Sequence, residues 1–182
     1  MLTDEYETIV YDLDGTLVRL RVDWDQARAD TALALRERGI DADGQTLWKL
    51  LERGTDEGFA AVVERELAAH ERDGARTSTL LDAASALPHD VPTGVCSLNC
   101  EDACRLALET HDLAAHVGAV VGRDTVSSKK PDPEPLLRTV DLLSGSPSEA
   151  LFIGDSERDE ITADRAGVAF QYVEDYLDAR AD

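Results

Sequence analysis

Hydrophobic and polar positions follow two different rhythms along the chain, and the change of rhythm divides it. Near the start, Ile9-Val10-Tyr11 is a continuous β-branched and aromatic run, the composition of a strand buried on both faces. It stops at Asp12-Leu13-Asp14-Gly15-Thr16-Leu17, where Gly15 allows a turn. From 18 to 87 the apolar residues recur at helical spacing among charges and alanines. Asp23 can cap a helix reaching about Arg38, with Gly39 ending it. A second helix is expected over 45–52, ending at Gly54. Thr55 can cap a third, reaching about Arg72, with Phe59, Val62, Val63 and Leu67 as its apolar stripe. A fourth is expected over 79–87, closed by Pro88. Trp24, Trp48 and Phe59 read as the core of this helical unit.

From Pro92 the rhythm alternates. Strands are expected over 94–98, 119–121, 150–154 and 168–173, with helices over 101–110, 134–143 and 158–166. That order implies a parallel sheet covered on both faces. The first strand must reach the sheet from across the helical stretch. The expected fold is therefore α/β, a Rossmann-like parallel sheet core flanked by helices (residues 1–17 and 88–182), with an inserted small α-helical cap (residues 18–87). Asp12 and Asp14 then stand at the carboxyl end of a buried strand, where open α/β sheets hold ligands. Two acids packed there call for a compensating hard cation.

Charge narrows the partners. The 182 residues carry 38 acids against 18 bases, a formal net charge of −20, which argues against duplex nucleic acid or an anionic membrane surface. Only Lys49, Lys129 and Lys130 are lysines, and such an acidic, lysine-poor surface resembles halophilic proteins, whose self-repulsion salt screens. No apolar run approaches the roughly 18 residues of a membrane span. Asp4, Glu5 and Glu7 make the start unlike a signal or transit peptide, so the cytoplasm is the expected location. Cys96, Cys100 and Cys104 are odd in number and read as buried small hydrophobes rather than a disulfide framework. The four histidines show no ligand spacing. Nothing here sets the oligomeric state.

Three later segments put polar groups at strand ends or in strand-to-helix loops: Ser97 and Asn99 after Gly94-Val95-Cys96, Lys130 in the loop Ser128-Lys129-Lys130-Pro131-Asp132-Pro133 before a helix, and Asp155-Ser156-Glu157-Arg158-Asp159 after Leu151-Phe152-Ile153-Gly154. With Asp12-Leu13-Asp14-Gly15-Thr16 these resemble, in order and spacing, the four motifs of the haloacid dehalogenase-like hydrolase superfamily. The resemblance implies phosphoryl transfer through an aspartyl-phosphate. Asp12 would be the nucleophile and Asp14 the acid and then the base. Ser97 and Lys130 would bind phosphate. Mg2+ would be held by Asp12, by the Asp14 carbonyl and by Asp155, with Asp159 supporting it directly or through water.

Some residues carry a second reading. Asn99 is placed to cap the next helix, whose N-terminus can also help bind phosphate. Ser156-x-x-Asp159 has the spacing of a capping box. Many relatives with a helical cap have an acid soon after Asp-Gly-Thr-Leu, whereas this chain has Val18-Arg19-Leu20-Arg21. Arg19 and Arg21 fall at the hinge, as candidates for an anionic substrate tail or as ordinary surface arginines. The leading expectation is a Mg2+-dependent phosphomonoesterase for a small soluble phosphorylated metabolite, similar to phosphoglycolate phosphatases. The alternatives are a phosphosugar mutase of the β-phosphoglucomutase type and a non-catalytic protein retaining the fold. Dehalogenation needs no leaving-group acid at Asp14. Imine-forming phosphonate cleavage lacks a well-placed cap lysine, since Lys49 follows Trp48 within a helix.

Overall fold

The computed structural model describes residues 5–181, so Asp4 lies outside the described residues. In chain order the elements are β1 (Thr8–Tyr11), β2 (Val18–Arg19), α1 (Trp24–Arg36), α2 (Leu47–Glu57), α3 (Ala60–Arg76), β3 (Thr79–Leu80), β4 (Thr93–Cys96), α4 (Glu101–Thr110), β5 (Ala119–Val121), α5 (Glu134–Leu142), β6 (Ala150–Gly154), α6 (Glu157–Ala166), β7 (Ala169–Tyr172) and α7 (Val173–Ala181). Five strands form one parallel sheet in the order β5-β4-β1-β6-β7.

Alternation along β1 explains why it takes the middle. Ile9 and Tyr11 point to one face and pack with Ala103, Cys104 and Leu108 of α4 and Tyr176 of α7. Val10 points to the other and packs with Leu136 and Val140 of α5 and Ala163 of α6. Both faces are dry, as the unbroken apolar run requires. The register pairs Tyr11 with Val95 on one side and Ile153 on the other. The residues that follow each strand therefore leave the sheet along one edge.

Between β2 and β3 the chain runs through α1, α2 and α3. These pack on each other through Leu35, Leu50, Leu51, Phe59 and Val63. The antiparallel pair of β2 with β3 (Val18 opposite Leu80, Arg19 opposite Thr79) ties the two ends of this segment together.

Several expected boundaries change. Asp23 does cap α1, accepting from the Gln26 amide, and Gly39 lies just past its end with φ +75°. The second helix, however, runs through Gly54 and ends at Gly58, whose φ is +83°. Gly54 serves close packing instead, because a Cβ there would lie 2.7 Å from the Ala60 nitrogen. Thr55 is interior to α2 and donates its hydroxyl to the Leu51 carbonyl at 3.1 Å. The third helix starts at Ala60 without a side-chain cap and continues to Arg76. The fourth expected helix is β3 followed by a short 3-10 turn over Asp82–Ala86. There the Leu81 amide bonds the Leu17 carbonyl, so pairing with the returning hinge overrides local helical preference. The last expected strand stops at Tyr172, and Val173 opens α7, which the sequence reading missed.

Candidate active site

The loop after β1 is wound tightly. The amides of Thr16, Leu17 and Val18 all point to the Leu13 carbonyl, and the Gly15 amide reaches the Val18 carbonyl at 2.8 Å. Gly15 takes φ +97°, and a Cβ on it would fall 2.0 Å from Asp155 Oδ2. Glycine is thus what lets this loop lie against the Asp155 carboxylate. Gly154 does the same for Asp159, whose Cβ would sit 2.7 Å from an added methyl.

Six of the expected residues converge on one cavity of about 170 Å3: Asp12, Asp14, Ser97, Lys130, Asp155 and Asp159. A single water needs about 10–15 Å3 on this measure, so the space suits a phosphate and a small alcohol. Asn99 lines it as well, together with Leu98, Ser156, Glu71, Trp24 and Trp48.

Lys130 is buried and fully engaged. Its ammonium donates to Asp12 Oδ1 at 2.9 Å, to Asp159 Oδ1 at 2.5 Å and to the Cys96 carbonyl at 3.2 Å. Those three bonds use its three protons and fix one oxygen of Asp12, leaving the other free. Burial pushes Asp12 up to about 7; Lys130 pulls it down, while Asp159 and Asp155 push it back up. Lys130 is itself raised by Asp12 and Asp159 despite its burial. Burial also raises Asp14, against the Leu20 amide and Arg19, and raises Asp155 with help from Asp159. Asp14 Oδ1 accepts the Leu20 amide at 2.9 Å, so the hinge aims this carboxyl. The raised pKa favours the protonated form that a leaving-group acid needs.

Carboxylate oxygens of Asp12, Asp155 and Asp159 lie within 4.8 Å of one another. The donor set is hard oxygen, and the one ammonium beside these three acids bonds only Asp12 and Asp159. Both facts fit a hard divalent cation such as Mg2+. The Asp14 side chain is not in that cluster, so any bond from Asp14 to a metal would come from its main-chain carbonyl. Of the two readings of Asp159 the capping box is present, and a pairing the sequence did not suggest is added. It completes a capping box with Ser156 at the start of α6 and it pairs with Lys130.

Ser97 is buried, with its hydroxyl 3.1 Å from Asn99 Oδ1. Asn99 does not cap α4: Cys100 takes that position, and its amide is bonded by Glu71 Oε2 at 2.9 Å. The next amide, of Glu101, is bonded by Asp124. The expected use of this helix N-terminus for phosphate is thus displaced, because carboxylates already occupy its first amides.

Arg19 and Arg21 do not line the cavity. Arg19 is exposed on the hinge hairpin and acts on Asp14 and Asp155 through its charge, while Arg21 donates to Thr79 Oγ1 at 3.3 Å. Lys49 is exposed and also lies outside the wall. The cysteines are free and buried, and burial pushes Cys96 and Cys100 up to about 12. Trp24 corrects the sequence reading: it is 44% exposed and forms cavity wall instead of helical core. Trp48 packs partly against that core and also lines the cavity.

Sequence reasoning missed a second buried ionic group. Arg123, just past β5, donates to both Glu64 oxygens, to both Glu71 oxygens and to the Leu98 carbonyl, at 2.6–3.1 Å. It joins α3 to the loop that bears Ser97. Its one sequence signal is its place directly after a parallel strand. Glu71 gives none, since an acid within a charged helix reads as solvated.

Comparison with known proteins agrees with this geometry. The profile described as haloacid dehalogenase-like hydrolase matches residues 9–173. A phosphoglycolate phosphatase of Rhodospirillum rubrum is 31% identical, over 89% of this chain and 77% of that one. One of Mesorhizobium japonicum is 28% identical, over 88% and 79%. The crystal structure of a hydrolase of subfamily IA from Geobacter sulfurreducens, 23% identical, superposes with a TM-score of 0.61 over 96% of this chain and 99% of that one. A Pseudomonas syringae hydrolase, 22% identical, gives 0.66 over 90% and 83%. At that identity the structural likeness shows the fold alone.

Proposed function

The chain belongs to the haloacid dehalogenase-like hydrolases, and from that premise we propose that it is a phosphoric monoester hydrolase acting on a small phosphorylated metabolite with Mg2+. The observation that carries the reading is the convergence of Asp12, Asp14, Ser97, Lys130, Asp155 and Asp159 on one small cavity at the carboxyl edge of a parallel sheet.

In this reading the free oxygen of Asp12 attacks phosphorus while Lys130 holds the other. The phosphorus–ester oxygen bond breaks, and Asp14 gives its proton to the leaving oxygen. Asp14 then takes a proton from a water that attacks the phosphorus of the aspartyl-phosphate, releasing inorganic phosphate and restoring Asp12. Ser97 orients a phosphate oxygen, whereas Lys130, expected to bind phosphate, has its three protons held by Asp12, the Cys96 carbonyl and Asp159 and contributes its charge instead of a bond. Mg2+ would be held by Asp12, Asp155, Asp159 and the Asp14 carbonyl, and when bound it supplies positive charge that lets one anion approach another. Residues 18–87 act as the cap that excludes bulk water from residues 1–17 and 88–182.

Turnover of 4-nitrophenyl phosphate tests this. The wild-type chain should release phosphate with Mg2+ and lose that activity on chelation. No release with Mg2+ across a panel of small phosphate esters would overturn the reading. A hexose 1-phosphate converted to its 6-phosphate without free phosphate would assign a mutase instead. The acidic surface further supports a cytoplasmic protein suited to high salt, for which the thermal midpoint should rise with KCl. Among the described residues no helix is long and apolar enough to cross a membrane.

A further inference from the structure

The turn that follows β4 carries Ser97, and its polar groups are held from the helical segment. The Ser97 amide bonds the Val121 carbonyl at 2.9 Å, so the sheet fixes where this residue leaves β4. The sheet does not fix the hydroxyl. Ser97 Oγ donates to Asn99 Oδ1 at 3.1 Å and accepts the Asn99 amide at 3.2 Å. Asn99 Nδ2 donates in turn to Glu71 Oε1 at 3.4 Å, and the Cys100 amide donates to Glu71 Oε2 at 2.9 Å. Glu71 belongs to α3 and is fully buried. Arg123 completes the group. Its guanidinium donates to both Glu71 oxygens at 2.6 and 3.0 Å and to the Leu98 carbonyl at 2.6 Å, while its amide bonds the Asn99 carbonyl at 2.9 Å.

We propose that Glu71 is a positioning residue for phosphate binding: from α3, with Arg123, it holds the turn over 98–100 so that Asn99 sets the direction of the Ser97 hydroxyl. The inference rests on the phosphomonoesterase reading, in which Ser97 orients a phosphate oxygen. Glu71 lies at the same cavity, but four donors already use its two oxygens: Asn99 Nδ2, the Cys100 amide and two guanidinium nitrogens. A carboxylate has about four acceptor sites, so none is left for a substrate hydroxyl or a transferred proton. Its effect is therefore exerted through Asn99. A hydroxyl free to rotate must lose that freedom when a phosphate aligns it, and a held turn removes this cost before the ligand arrives. The helical segment thereby takes part in phosphate binding without touching the phosphate.

A double-mutant cycle tests this, read as the affinity for inorganic phosphate by calorimetry with Mg2+. Glu71→Gln keeps the size of the side chain but cannot accept on both oxygens, and it should weaken phosphate binding about tenfold. Ser97→Ala should weaken it by about as much, the scale of one hydrogen bond to a charged group. In the double variant the two losses should not multiply: with no hydroxyl to direct, Glu71→Gln should add less than about twofold. A merely structural Glu71 would weaken the serine and alanine chains alike. Turnover of 4-nitrophenyl phosphate by Glu71→Gln should show the loss in KM, with kcat changed less than about threefold. If Glu71→Gln does not fold, the joint replacement Glu64→Leu, Glu71→Leu and Arg123→Met takes its place in the cycle, since apolar groups of similar volume can replace a buried ion cluster. Unchanged phosphate affinity in the folded variant, losses that multiply, or a loss confined to kcat overturns the proposal. The expected cycle in a chain that hydrolyses no ester removes the phosphatase reading and leaves the positioning role standing. No phosphate binding by the wild type overturns both.

Discussion

Lys130 and Arg123 are the two buried cations among the described residues, and their surroundings differ in kind. Around Arg123 the hydrogen bonds are satisfied, with two carboxylates on one guanidinium. Glu64 and Glu71 each give it both oxygens, and Glu71 also accepts from the Cys100 amide. Around Lys130 the acids outnumber the cation, they open onto a cavity, and burial raises Asp12, Asp14 and Asp155. Both groups are buried ion clusters between distant parts of the chain. Each cation holds two carboxylates, and what separates the groups is the open cavity at Lys130 with two further acids on it, Asp14 and Asp155, a surplus that makes sense if something positive or protonated comes to that site. The closed group explains a position; the open one explains a reaction.

Breaking the closed cluster should have the larger energetic effect. Arg123→Met leaves Glu71 buried and unpaired, and the urea midpoint should fall by the equivalent of about 3–5 kcal/mol. Replacing Glu64, Glu71 and Arg123 together with apolar residues should recover most of that loss. A midpoint unmoved by Arg123→Met would show that the cluster holds nothing together. Next in size, Asp12→Asn should cost more than ~100-fold in kcat, or about 2.7 kcal/mol, in a 4-nitrophenyl phosphate assay. The same change should raise the metal-free thermal midpoint by about 2–4 °C, because it removes surplus charge while Lys130 keeps Asp159. A lowered midpoint would mean that Asp12 is part of the scaffold.

A third test uses the sign of the shifts. Asp12 rises from 3.8 unfolded to about 7 folded, so its ionisation opposes folding. Its contribution is most favourable below about pH 4 and is lost as pH climbs to about 7. Asp14 and Asp155 shift the same way, whereas Glu101 is lowered by Thr125 and Arg105 against its burial and acts oppositely. The difference between wild type and Asp12→Asn isolates the Asp12 part. Mg2+ should return about 1–3 kcal/mol at pH 8 and little at pH 5, read as a shift in thermal midpoint. An equal gain at both would separate metal binding from these acids. The smallest effect is expected at the exposed pair of Arg105 with Glu101, where Arg105→Ala should change stability by under ~0.5 kcal/mol, below either cluster.

The difference between the two clusters also explains what could be read in advance. Asp12 and Asp155 stand directly after strands whose apolar runs announce themselves, with Asp14 two residues past Asp12 and Lys130 in the loop from β5 to α5, so strand order and a shared edge sufficed to bring them together. Arg123 and Glu71 meet only because α3 lies across α4, and no local pattern encodes that contact. The same limit applies to boundaries. Gly39 and Gly54 look alike in sequence, yet one takes a left-handed turn and the other makes room for Ala60. Residues 79–87 carry helical preference, but pairing with the returning hinge decides their shape. Local chemistry was enough for the sheet and its edge. The helical segment depended on long-range packing, and Trp24 changed role for that reason.

The middle position of β1 has a consequence during synthesis. The strand that presents Asp12 leaves the ribosome before the other strands of its sheet, and both of its neighbours come much later: β4 follows three helices, and β6 begins only at Ala150. Until they emerge, a fully apolar strand waits with both edges unpaired, a condition that invites aggregation and engages chaperones. A nascent chain released before Gly154 would carry Asp12 with no finished sheet around it.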